Sequence, residues 1–135
     1  ALERLARLGA VAFDKTGTLT IGRPVVRRIE PVGQGADARL LLAVARGLEQ
    51  TSTHPISHAV IEAAKAMGVE PATVTDVRYD PGRGVRGVVD GKEARMGSLP
   101  FTVELIDQDA RARVTELLSG LQGRGMIGNV CAHGG

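Results

Sequence analysis

Apolar positions recur along this chain with two different periods, and the change from one to the other divides it. Ala1 to Leu8 alternates apolar and charged residues in a way that predicts a helical turn or two, which Gly9 would end. Ala10-Val11-Ala12-Phe13 is then an unbroken apolar run, the pattern of a short buried strand. After the break at Gly22-Arg23-Pro24, Val25 to Val32 reads as a second strand. Asp37 is placed to cap an apolar helix over Ala38 to Glu49, because its side chain can accept from the free amides of a first turn. The next helix starts at Pro55, whose missing N–H costs nothing there, and His54 before it is pushed out of the helical region. Gly68 suits the stop. Between them Ile56, Ala59, Val60, Ala63, Ala64 and Met67 form a stripe at helical spacing. The loop Gln50-Thr51-Ser52-Thr53 is short, so the two helices should form a hairpin.

From Thr75 the period shortens to two. Val77-Arg78-Tyr79 reads as a strand, and Pro81-Gly82-Arg83-Gly84 as a loop. Val85 to Val89 and Lys92 to Met96 flank Asp90-Gly91, a strong hairpin signal because both turn residues tolerate positive φ. Asp107 to Leu121 is helical, with Val114, Leu117, Leu118 and Leu121 inward, and Met126 to Ala132 is a last strand. Antiparallel hairpins mixed with helices make the bulk of the chain α+β.

Composition narrows the chemistry. At 135 residues the chain is long enough for one ordinary domain. Apolar residues are 43% but aromatics only 2%, so the core is aliphatic and base-stacking platforms have few rings to use. Seventeen basic against fifteen acidic residues give a net charge of +2 without any dense basic run, which argues against a nucleic-acid or membrane-surface partner. One cysteine, Cys131, excludes an intramolecular disulfide and a multi-cysteine zinc site. No apolar run approaches the ~18 residues of a membrane span. The expectation is a soluble, cytosolic, monomeric fragment of a larger protein.

Three stretches carry candidate chemistry. Ala12 to Thr20 reads AFDKTGTLT, a strand ending on a carboxylate and followed by turn residues. An aspartate at the carboxyl edge of a sheet can attack phosphorus, or bind Mg²⁺ that neutralises phosphate oxygens. Thr16 and Thr18 offer donors to phosphate, and Gly17 lets the chain turn. A plain Asx turn explains the same residues. Next, Glu49 to Pro55 is either a helix-hairpin loop or a purine site: a neutral His54 ring can stack on adenine while Glu49 accepts from its exocyclic amine. His54 and His58 have i, i+4 spacing, but one helix gives two ligands where zinc takes three or four. Third, Gly82-Arg83-Gly84-Val85-Arg86-Gly87 matches GxGxxG. A strand and hairpin turn follow it, which excludes a dinucleotide fold, and no kinase catalytic loop accompanies it. It is a glycine-rich turn or a loop that lets backbone approach a ligand.

Asp14 to Thr20, DKTGTLT, resembles the phosphorylation signature of P-type ATPases without a mismatch. The Thr53-His54-Pro55 segment is similar to the His-Pro motif of their heavy-metal-transporting class, and Gly82-x-Gly84 to its nucleotide-lining glycines. The resemblance implies that Asp14 accepts the γ-phosphate of ATP with Mg²⁺ beside it and Thr16 in the phosphate and magnesium vicinity. It implies further that Glu49, His54, Gly82 and Gly84 bind the nucleotide. The implied organisation is 1–22 as the first, incomplete segment of a haloacid-dehalogenase-like phosphorylation domain, whose strand would sit in a parallel sheet. Residues 23–122 would be a nucleotide-binding domain with a twisted antiparallel sheet flanked by helical hairpins, and 123–135 the return. The partners implied are the rest of the phosphorylation domain and a membrane domain of the same polypeptide, in a bacterial plasma membrane.

Many members of that family have Gly-Asn where this chain has Gly97-Ser98. Ala12-Phe13 and Glu49-Gln50 look like the zinc, cadmium and lead exporters. A second acidic cluster and a distant lysine that the family uses are not found here, so the chain is expected to bind nucleotide without turnover. A small dehalogenase-type phosphatase and a non-catalytic nucleotide-binding module are the alternatives. The phosphatase would carry an Asp two residues after Asp14, where this chain has Thr16.

Overall fold

The computed structural model describes residues 5–14, 24–33 and 37–134. Among them are the strands β1 (Leu5–Asp14), β2 (Val26–Pro31), β3 (Thr75–Asp80), β4 (Gly84–Val89), β5 (Lys92–Gly97) and β6 (Met126–Gly134). The helices are α1 (Ala38–Glu49), α2 (Pro55–Ala66), the single turn α3 (Leu99–Thr102) and α4 (Gln108–Gly123). The strands form one sheet in the order β2-β1-β6-β5-β4-β3. Every pairing is antiparallel.

The sheet is covered on both faces. Val11 and Phe13 of β1, Cys131 of β6, Met96 and Ala94 of β5 and Val85 and Val89 of β4 meet Leu41, Leu42, Val44, Leu48, Val60 and Ala64 of α1 and α2. The alternate positions Leu8, Val130 and Ala132 pack on Ile106, Ala110 and Val114. Ala10 and Ala12 pack on Leu121 of α4. This alternation corrects the expectation of a parallel-sheet strand at Ala10 to Phe13: β1 is apolar throughout because helices lie on both its faces, and its two neighbours are antiparallel.

The helical turns expected before Gly9 are also corrected, for Leu5 to Leu8 belong to β1 and pair along β6. The Arg7 guanidinium donates to His133 Nδ1 at 2.6 Å. The His133 Nε2–H donates to the Val89 carbonyl at 2.8 Å. Gly9 is no break. A Cβ there would come within 2.5 Å of the Glu30 carbonyl oxygen and 2.8 Å of a Leu41 methyl, so glycine lets β2 and α1 close on β1.

The signals at helix ends work as their chemistry requires. The Asp37 carboxylate accepts from Arg39 N–H at 2.7 Å and Leu40 N–H at 3.2 Å. Asp107 accepts from Ala110 N–H at 2.8 Å, starting α4. Gly68 has φ +68, and the Val69 N–H returns to the Ala64 carbonyl at 2.9 Å. In α4, Val114 and Leu121 are fully inside, while Leu117 and Leu118 are half-buried. Asp90 and Gly91 have φ of 53° and 76°, the two positive values of a two-residue hairpin turn.

Candidate functional site

A cleft of about 340 Å³ opens where the α1–α2 loop faces the β3–β4 loop, within the size range of small-ligand pockets. Glu49, His54, Gly82 and Gly84 all line it. The fold brings these together because the end of α1 and the start of α2 lie over the strands that the 81–84 loop connects. Met96 and Gly97 of β5 and Asn129 of β6 complete its walls.

Glu49 is the last residue of α1 and is only 7% exposed. Its Oε1 accepts from the Ser57 hydroxyl at 2.5 Å, which ties the end of α1 to the first turn of α2. Burial pushes the carboxyl pKa above its ordinary value, and the Ser57 hydrogen bond opposes that rise. His54 caps α2 with its ring: the Ile56 N–H donates to Nδ1 at 3.1 Å. An acceptor at Nδ1 requires the hydrogen on Nε2, so the capped ring is the neutral tautomer with one N–H to offer. The His54 N–H in turn donates to the Ser52 hydroxyl at 3.1 Å, fixing the loop before Pro55.

The glycines serve two different needs. Gly82 has φ +77, a left-handed conformation, with open space where a Cβ would stand. At Gly84 the need is proximity, since a Cβ would lie 2.2 Å from the Met96 carbonyl oxygen and 2.8 Å from the Phe101 ring. Opposite it, a Cβ on Gly97 would lie 2.1 Å from the Arg83 carbonyl oxygen. The loop is closed by the Arg83 N–H donating to the Asp80 carbonyl at 2.9 Å and by the Ser98 N–H donating to the Arg83 carbonyl at 3.1 Å.

Asp14 is not among the residues lining the cleft. It ends β1, its N–H donating to the Val25 carbonyl at 3.2 Å, and its carboxylate accepts from Arg27 Nε at 2.7 Å. Both side chains are substantially exposed, so the pair contributes no more than about 1 kcal/mol and opens easily. Thr16, with Gly17 and Thr18, lies outside the described residues. His58 lines a different and larger groove of about 780 Å³ between α2 and Val25–Val26, so the two histidines do not converge. Among the described residues no three His, Cys, Asp or Glu side chains gather as a metal site.

Ser57, Tyr79 and Asn129 also line the cleft, and no motif in the sequence marks them. Tyr79 shares a hydrogen bond of 2.9 Å with the Thr51 hydroxyl, joining β3 to the α1–α2 loop at the cleft rim. Ser98 does not line the cleft. Its neighbour Gly97 does, along with Asn129 from the strand beyond it.

The model of the haloacid dehalogenase-like hydrolases matches residues 8–129. The copper-transporting ATPase 1 of Rhizobium meliloti (strain 1021) is 42% identical over 73% of this chain and 12% of its own length. The cadmium/zinc-transporting ATPase HMA2 of Arabidopsis thaliana is 38% identical over 72% of this chain and 10% of its own. The chain therefore spans about an eighth or less of these curated relatives. Among solved structures, the N-domain of HMA8, a copper-transporting P-type ATPase, superposes with a TM-score of 0.64 at 25% identity, over 79% of this chain and 98% of that one. The antiparallel sheet with its flanking helices is thus the architecture of a P-type ATPase N-domain. No helix among the described residues is long and apolar enough to cross a membrane. Its family is shown by the match over nearly all of its length: the chain belongs to the haloacid dehalogenase-like hydrolases.

Proposed function

We propose that this chain is the nucleotide-binding part of a heavy-metal-exporting P-type ATPase and that its cleft takes the adenine of ATP. One observation carries the proposal. Glu49, His54, Gly82 and Gly84, named from motifs far apart in the chain, line a single cleft. In this proposal the His54 ring, held flat by its cap, stacks on the purine and offers its Nε2–H at the edge. Glu49, oriented by Ser57, accepts from the exocyclic amine. Gly82 and Gly84 bring backbone close to the ligand.

In the whole protein, the Asp14 carboxylate would attack the γ-phosphorus of ATP, the bond to the β–γ bridging oxygen would break to release ADP, and an aspartyl phosphate would form; Mg²⁺ held near Asp14 and Thr16 would neutralise phosphate charge. Residues 1–22 would there belong to the phosphorylation domain, 23–122 to the nucleotide domain and 123–135 to the return between them. The exposed Asp14–Arg27 pair leaves the carboxylate accessible for such a transfer. The cargo in this proposal is a soft heavy-metal cation; Ala12-Phe13 and Glu49-Gln50 lean towards zinc, cadmium or lead, while relatives at comparable identity are named for copper and for cadmium and zinc. The part described here would face the cytosol of a bacterium, with the transport path in the same polypeptide.

Calorimetric titration of MgATP into the 135-residue chain and two variants tests the cleft. His54→Ala should abolish measurable binding and Asp14→Asn should leave it intact. Retained binding in His54→Ala, with the fold verified by circular dichroism, overturns the proposal.

A further inference from the structure

The 81–84 loop carries a side chain that neither glycine explains. Among the described residues that line the cleft, Arg83 is the one with a fixed positive charge, and Glu49 and Asp80 are its acidic companions. Its guanidinium lies over the Phe101 ring, 5.2 Å from the centroid. Arg95 lies over the same ring at 5.1 Å. The two cations differ in what neutralises them. Arg95 is nearly buried and meets Glu93 and Glu104 at 2.8 Å each, with the Phe101 carbonyl at 2.9 Å. Among the described residues no carboxylate pairs with Arg83.

An aromatic face orients a guanidinium without cancelling its charge. The backbone beneath is fixed by the Asp80 and Ser98 hydrogen bonds. The result is a preorganised, uncompensated planar cation beside a cleft whose other charged groups are anionic. Such a cleft would repel a polyanion without that residue, and a guanidinium fork suits phosphate oxygens.

We propose that Arg83 is the phosphate-binding residue of this cleft, making it selective for a nucleoside polyphosphate over the bare nucleoside. The proposal rests on the adenine assignment of the preceding subsection, and the test separates the two.

Adenosine, ATP and inorganic tripolyphosphate are titrated calorimetrically into the 135-residue chain and its Arg83→Ala, Arg83→Gln and Arg83→Lys variants, at low and high salt. Thermal melts confirm that each variant is folded. In the unmodified chain ATP should bind at least about tenfold more tightly than adenosine, the scale of one charge-assisted contact. Arg83→Ala and Arg83→Gln should bring that ratio close to one, and Arg83→Lys should keep part of it. High salt should lower the ratio in the unmodified chain. Adenosine that binds with an ATP ratio unaffected by Arg83→Ala overturns the Arg83 assignment and leaves the purine site standing. Tripolyphosphate that binds through Arg83 while adenosine does not bind supports Arg83 and overturns the purine site. If no probe binds, both fall.

Discussion

Replacing Gly84 by alanine should damage the fold far more than the same change at Gly82, two residues away. At Gly84 the added methyl would stand 2.2 Å from the Met96 carbonyl oxygen, 2.9 Å from Gly97 Cα and 2.8 Å from the Phe101 ring. Two of those three neighbours are backbone atoms of the strand to which Gly84 is paired. Relief therefore requires pulling β4 away from β5, and no side-chain rotation supplies it. The cost belongs at or above the top of the overpacking range, about 3 kcal/mol or more, against a domain stability of about 5–15 kcal/mol.

At Gly82 nothing lies within 4 Å of the added methyl, and the only penalty is the left-handed backbone at φ +77. That costs about 1–2 kcal/mol. For a chain of this length the losses translate to a fall in melting temperature of about 4–7 °C for Gly82→Ala and about 10 °C or more for Gly84→Ala. Scanning calorimetry, with urea unfolding followed by circular dichroism, measures both. Equal losses, or a larger loss at Gly82, would show that the two chain segments do not cross as closely as described, and the cleft wall built on that crossing would be wrong.

Two other consequences are open to direct measurement. Burial holds the Glu49 carboxyl pKa above its ordinary value of 4.5, so the folded chain binds that proton more tightly than the unfolded chain does. The sign follows: Glu49 disfavours folding least below 4.5, and its penalty grows as pH rises through the folded value and then levels off. The stability difference between Glu49→Gln and the unmodified chain should accordingly shift in favour of glutamine from acid to neutral pH, and parallel urea-unfolding profiles across that range would refute it. Cys131 is fully buried, and burial, with a further push from the Glu49 charge against a smaller pull from Arg7, raises its thiol to about 12. A disulfide reagent at pH 8 should label it only at the rate of unfolding, and labelling within seconds in native buffer would contradict its placement.

Local chemistry was legible where it acts locally. Asp37, Asp107, Pro55 and Gly68 bound their helices because capping is decided within four residues, and Asp90-Gly91 made its turn for the same reason. Sheet partners are not local. An unbroken apolar run at Ala10 to Phe13 reports burial on two faces, and burial alone does not distinguish parallel from antiparallel neighbours. Leu5 to Leu8 joined a strand because β6 offered them partners more than a hundred residues away, a contact invisible to any short window. The same divide runs through the site. Glu49, His54, Gly82 and Gly84 stood out by motif, whereas Ser57, Tyr79 and Asn129 enter the cleft through helix and strand packing that their own neighbours in sequence do not announce.

The central claim is that residues from the α1–α2 loop and the β3–β4 loop act on one ligand. Titrating MgATP into isotopically labelled chain and following backbone amide shifts tests it most directly. The amides of Glu49, His54, Gly82 and Gly84 should move together along one binding curve, while Glu116 on the exposed face of α4 stays still. Shifts at those four positions that saturate at different concentrations, or none at all, would contradict it.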